Sequence, residues 1–206
     1  WHNDRGGIVK HLAFTKEPEE GEKLTFGVEN RYLGKNKRVV CHERAHYTIE
    51  ANPRGYLLTL RSEFTSDATF YFGVKEEMGL AMRVASPLRV KKGNGHILSS
   101  EGGIDEKGTW GQPARWWDSA GTIHDRHVGM QIMSGMSDRQ VWSHSRDYGV
   151  LVANPLPVDI KANRSLKTPV KPGEAFVLEY GVQVHESDTA NPADLEVSYQ
   201  HYWQVK

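Results

Sequence analysis

The run Trp142-Ser143-His144-Ser145-Arg146-Asp147-Tyr148-Gly149 brings a histidine, an arginine, an aspartate and a tyrosine into one short stretch. Alternation along an extended segment puts His144, Arg146 and Tyr148 on one side and Ser145 and Asp147 on the other. A histidine exchanges protons near neutral pH, and an adjacent arginine anchors an anionic or hydroxylated ligand. The plainer use of the same residues is a hydrogen-bonded cluster that braces a turn.

Two other stretches could join such a site. In Lys75-Glu76-Glu77, followed by Arg83, a lysine beside a glutamate can do acid/base work when both face a pocket, since each shifts the other's pKa. A charged turn in solvent, with Arg83 pointing outward, is the alternative. Trp110-Gly111 and then Ala114-Arg115-Trp116-Trp117-Asp118 form the most aromatic patch. Indole faces beside Gln112, Arg115 and Asp118 suit a sugar, whose C–H face stacks on the ring while planar polar groups read its hydroxyls. The competing expectation is that these tryptophans close the end of a core.

Other chemistries find less support. There are 10 histidines, but His42 and His46 on a strand would stand ~13 Å apart. His124 and His127, beside Asp125, match no established ligand spacing. No metal and no other cofactor is expected. The single cysteine, Cys41, rules out an internal disulfide and a CxxC site, and within a β-run it reads as a small buried hydrophobe rather than a nucleophile. No nucleophile elbow, P-loop or dinucleotide fingerprint is present.

The elements that must position these groups are strands. Lys23 to Val28, Val39 to Glu50, Tyr56 to Arg61, Thr69 to Val74, Gly79 to Val90, Val128 to Met133, Tyr148 to Ala153 and Ala175 to His185 are β-rich. Turn chemistry separates them at Asn52-Pro53-Arg54-Gly55, Lys92-Gly93-Asn94-Gly95 and Lys171-Pro172-Gly173-Glu174, and Asn94-Gly95 is a hairpin signal. The glycine-rich stretch from Ser99 to Gly129 shows little periodicity and reads as a long functional loop. Near the end, Asn191-Pro192-Ala193-Asp194 supplies an N-cap, a proline and an acid. Leu195, Tyr199, Tyr202 and Trp203 then share a helical face, although Glu196 to Tyr199 also alternates like a strand.

A chain of 206 residues with 38% apolar side chains suits one domain, residues 1–206, built as an antiparallel β-sandwich with a short C-terminal helix. Its 26 basic and 26 acidic side chains balance to zero net charge, which argues against a nucleic-acid partner. No apolar run reaches the ~20 residues a membrane span needs. Compartment and oligomeric state are not written in the composition.

Taken in order, several blocks resemble the bacterial PmoA family of unknown function. They are Phe72 to Glu76, Ala81 to Ala85, Ser100-Glu101-Gly102, Trp110-Gly111, Trp117 to Gly121, Val128 to Met133, Arg146 to Gly149 and Asn154-Pro155. The likeness covers roughly residues 1–185, and blocks spread along a chain are more specific than one motif. Trp1 and Gly7-Ile8-Val9 resemble the middle of the family pattern, so a histidine-rich HHRG-like stretch usual ahead of them is missing. The histidine of the family's DHP-like turn is also missing, replaced by Ser134-Gly135-Met136-Ser137-Asp138. The chain has neither the membrane span nor the copper-ligand pattern of a methane oxygenase.

The resemblance implies a galactose-mutarotase-like supersandwich and a small-molecule carbohydrate partner. Mutarotase or epimerase chemistry would use Glu76 or Glu101 as base and His144 as acid. Arg83, Arg146 and Tyr148 would hold the sugar, Trp110 or Trp117 would stack on it, and Asp118 and Lys75 would orient their neighbours. A non-catalytic carbohydrate-binding or structural sandwich needs the tryptophans but no acid/base pair.

Overall fold

The computed structural model describes residues 6–19, 21–73, 75–156, 168–187 and 192–206. In chain order these form β1 (Ile8–Glu19), β2 (Lys23–Leu33), β3 (Val39–Asn52), β4 (Gly55–Thr65), β5 (Phe70–Phe72), β6 (Leu80–Arg83) and β7 (His96–Ser99). There follow α1 (Asp105–Thr109), β8 (Trp116–Ile123), β9 (Arg126–Ser134), β10 (Trp142–Ser143), β11 (Val150–Asn154), β12 (Thr168–Val170), β13 (Phe176–Ser187) and α2 (Pro192–Val205). One eight-stranded sheet runs β1-β2-β3-β4-β13-β9-β8-β7, and every strand pair in it is antiparallel. A second layer holds a three-stranded sheet, β10-β11-β6, and a two-stranded one, β12-β5.

Side-chain alternation divides the core between the two faces of the large sheet. Trp117, Ile132, Leu178 and Tyr180 point to the second layer and pack with Leu151, Ala153 and Val141. Their neighbours Trp116 and Met133, with Leu57, point the other way and are covered by Leu195, Tyr199 and Tyr202 of α2. The C-terminal segment is therefore a helix, as its apolar face implies. Tyr202 seats against Gly181, where an added Cβ would come within 2.7 Å of its ring. The proposed cap Asn191 lies outside the described residues.

Two expectations change. The supposed loop from Ser99 to Gly129 contains α1 and the strand β8, second from the edge of the large sheet. Six successive residues of β8 are buried, Trp116 to Gly121, so there is no alternation for a periodicity search to find. Asn94-Gly95 closes no hairpin, because β6 and β7 belong to different sheets. Asn94 instead bonds the backbone of Thr122, accepting from its N–H at 2.7 Å and donating to its carbonyl at 3.0 Å. The other turns behave as their residues dictate: Asn52 Oδ1 accepts the Arg54 N–H at 3.1 Å across the β3–β4 hairpin. No described helix is long and apolar enough to cross a membrane.

Candidate functional site

His144 follows directly on β10, and its backbone N–H reaches the Val152 carbonyl at 3.1 Å. Arg146 N–H then bonds Val150 O, and Gly149 N–H returns to Arg146 O, both at 2.8 Å, so the chain reverses tightly onto β11. Gly149 sits at φ +96°, a conformation that favours glycine. Inside this reversal Arg146 Nε comes to 3.4 Å from His144 Nε2. Those two side chains share a side as alternation implies. Tyr148 turns to solvent, its ring 5.7 Å from the Arg83 guanidinium.

Short α1 clamps the reversal from outside. Glu106 N–H donates to Asp147 Oδ1 at 2.9 Å, and Asp147 N–H donates back to Glu106 Oε2 at 3.1 Å. The other Glu106 oxygen takes Arg146 Nη1 at 2.7 Å. Behind them the Thr109 and Ser145 hydroxyls meet at 2.5 Å. Residue Trp110, at the end of α1, approaches from the same side: its indole N–H lies 3.3 Å from His144 Nδ1, and its ring is 5.2 Å from the Arg146 guanidinium.

The turn before β6 completes the cluster. Asn154 Nδ2 donates to the carbonyls of Lys75 and Glu76 at 2.7 and 3.2 Å, pinning that turn to the end of β11. Glu76 Oε2 then stands 3.4 Å from His144 Nδ1, and its other oxygen 3.6 Å from Arg146 Nη2. Glu77 lies 4.0 Å from His144 Nε2. It also lines a cleft of about 250 Å³ with Arg83, Tyr148, Val150 and Val152.

The electrostatics follow from this packing. His144 is 1% exposed. Burial disfavours the imidazolium and holds its pKa below the ordinary value, with Arg146 acting in the same sense and Glu76 against. For Glu106, burial pushes upward, but the hydrogen bonds from Arg146 and the Asp147 N–H outweigh it and keep the carboxyl below its usual range. Neutral His144 has one N–H and one acceptor nitrogen. Its Nδ1 can donate to Glu76 or accept from Trp110, but not both at once.

Of the residues expected at a site, Glu76, Trp110, His144 and Arg146 come together, while Arg83 and Tyr148 line the small cleft with Glu77. Lys75 contributes its carbonyl to the turn, and its side chain is exposed. Three expectations are corrected. Trp117 is wholly buried in the sandwich core and presents no face to a ligand. Glu101 bonds the Ser100 hydroxyl and faces Arg115 at 3.9 Å, apart from the His144 cluster. Asp118 points to the α2 face and takes His185 Nε2 at 2.8 Å. Glu77, Glu106 and Asp147 were not among the expected site residues. The acids opening α1, Asp105 and Glu106, were the available signal for that helix.

The members of the two histidine pairs make other contacts or face solvent. His42 faces Glu29 at 3.4 Å, His46 is exposed, and His124 occupies a tight β8–β9 turn with Asp125. Among the described residues no group of three or more His, Cys, Asp or Glu gathers around a common point. Cys41 is buried, as its β-run implies, and burial raises its thiol pKa to about 11.

A family model described as "Family of unknown function (DUF6807)" matches residues 1–200. No curated protein matches the chain significantly. Among solved structures, a putative kojibiose phosphorylase from human microbiome aligns with a TM-score of 0.45 at 5% identity, over 87% of this chain and 20% of that one. The Slr1438 protein from Synechocystis sp. PCC 6803 aligns with a TM-score of 0.38 at 13% identity, over 86% of this chain and 65% of that one. The chain thus spans about a fifth of the first and just under two thirds of the second.

Proposed function

The chain belongs to the DUF6807 family of unknown function, and we propose that it acts on a sugar or sugar derivative by proton transfer at His144. The supporting observation is convergence: Glu76, Trp110 and Arg146, from separate parts of the chain, all lie within 3.5 Å of one buried imidazole. The finer resemblance to the PmoA family, with its mutarotase-like expectation, points the same way.

The direction of the His144 shift supports a different first role for it. An imidazole kept neutral by burial begins as a base, not as the acid expected from sequence. Ring opening of a cyclic hemiacetal requires only that a proton leave the anomeric hydroxyl and arrive on the ring oxygen as the C1–ring-oxygen bond breaks. His144 takes the first proton, Glu76 stabilises the imidazolium, and His144 returns a proton to the ring oxygen. Closure on the other face of the carbonyl inverts C1. Arg83, Tyr148 and Glu77, around the 250 Å³ cleft, read the sugar hydroxyls.

Near-complete burial of His144 favours a second reading, in which the same residues hold a sugar without turning it over. The two separate cleanly. A thermal-shift screen of sugars identifies a ligand, and polarimetry on a pure anomer measures interconversion. His144→Gln should lower the rate at least tenfold while the sugar still shifts Tm. An unchanged rate removes His144 from the chemistry, and a sugar that binds with no interconversion leaves the binding role alone.

A further inference from the structure

On the α2 side of the large sheet lies a cleft of about 570 Å³, walled by Leu98, Ile104, Ala120 and Leu195. At its floor the His185 ring crosses from β13 to Asp118 on β8, over the intervening strand β9. It can do so because β9 carries Gly129 at that register, where a Cβ would stand 2.6 Å from the imidazole. His185 and Asp118 are 4% and 5% exposed.

Several polar side chains around this cleft are engaged. Arg54 donates to the Asp194 carbonyl at 2.8 Å, Asn94 to the Thr122 carbonyl at 3.0 Å, and His96 faces Asp105 at 3.6 Å. Among the described lining residues, the buried side-chain atoms left without a hydrogen-bond partner are Nδ1 of His185, Nε2 of His127 and Nε of Arg54. A carboxylate only accepts, so with Asp118 on its Nε2 the neutral His185 carries its proton there, and Nδ1 is a bare acceptor. The cleft thus combines an apolar wall with a buried acceptor on His185 and a buried donor on Arg54.

We propose that this cleft is a second ligand site, and that it takes a small phenol. The aromatic body lies against Leu98, Ile104 and Leu195, and the hydroxyl donates to the histidine floor. A carboxylate could accept from Arg54 but, lacking a donor, would leave Nδ1 of His185 unmet beside Asp118, whereas a phenol hydroxyl both donates and accepts. A sugar would bring several hydroxyls to a wall that can pair with few of them. The site stands apart from His144, so it does not depend on the sugar reading.

The test is titration of the full chain with phenol and with anisole, its methyl ether, followed by NMR of the histidine imidazoles. Phenol should shift the His185 and His127 signals saturably in the millimolar range, and anisole, lacking the donor, should bind at least tenfold more weakly. Ile104 is 59% exposed, so Ile104→Trp should fill the cleft without loss of Tm and weaken phenol at least tenfold. Equal affinity for phenol and anisole overturns the proposal, as does no saturation by phenol or a shift that survives Ile104→Trp. If that variant does not fold, the phenol and anisole comparison on the unaltered chain decides.

Discussion

His144 and His185 are both buried imidazoles with acidic neighbours, yet the protein builds them in opposite ways. His144 sits where three turns meet, and its partners Glu76 and Glu77 are themselves 41% and 54% exposed. His185 sits within a strand, and its partner Asp118 is almost wholly buried, with Gln131 and Gln183 on the same face of adjacent strands. Turns let charged groups converge from distant sequence, but something must clamp them, here the reciprocal bonds between Glu106 and Asp147. Strands supply fixed geometry instead, and their cost falls on packing, because every intervening position must leave room.

The largest expected effect therefore belongs to the strand-built pair. Gly129→Val would drive a branched side chain into the His185 ring and the Ala120 methyl. It should destabilise by about 3 kcal/mol or more, measured as a denaturant midpoint at unchanged m-value. Asp118→Ala, which strands the imidazole without changing the glycine, should cost about 2–4 kcal/mol. A loss under about 0.5 kcal/mol in either variant would mean that the two imidazole sites differ less in rigidity than their construction implies.

The turn-built site should show the reverse pattern, with little stability at stake and more function. Glu106→Gln keeps the shape but removes the charge that holds Arg146. Because the Glu106 side chain is 33% exposed, unfolding free energy should fall by about 1 kcal/mol or less. Sugar turnover, once a substrate is found, should fall roughly tenfold as Arg146 loses its hold beside His144. A stability loss matching that of Asp118→Ala, with turnover intact, would make the clamp a structural brace only.

That contrast also explains what could be read from the sequence. The cluster at His144 was largely legible because its residues lie in short contiguous runs, and a turn keeps sequence neighbours close in space. Its clamp was not, since nothing near Glu106 announces that it will meet Asp147 across 41 positions. The sandwich and α2 were legible from alternation and from one apolar helical face. Strand β8 was not, because burial on both sides erased the alternation, and with it went the correct places of Trp117 and Asp118. A cross-strand pair such as Asp118 and His185 depends on register, and register is invisible until the strands are laid side by side.

The smallest effect concerns pH, and it isolates His144. Its folded-state pKa lies below the ordinary 6.5. As pH falls from that value, the unfolded chain takes up a proton there while the folded chain does not, until the folded pKa is reached. Stability from this group is thus complete above the ordinary imidazole range and declines as pH drops through the window beneath it. The carboxyl of Glu106, held below its ordinary 4.5, loses its contribution only at lower pH. Thermal unfolding between pH 7 and pH 5 should therefore be flatter in His144→Gln than in the unaltered chain. Turnover by a basic imidazole should likewise persist to lower pH than an unperturbed histidine would allow. Equal slopes in the two proteins would place His144 in contact with water, and the distinction between a sealed base and an ordinary surface histidine would go with it.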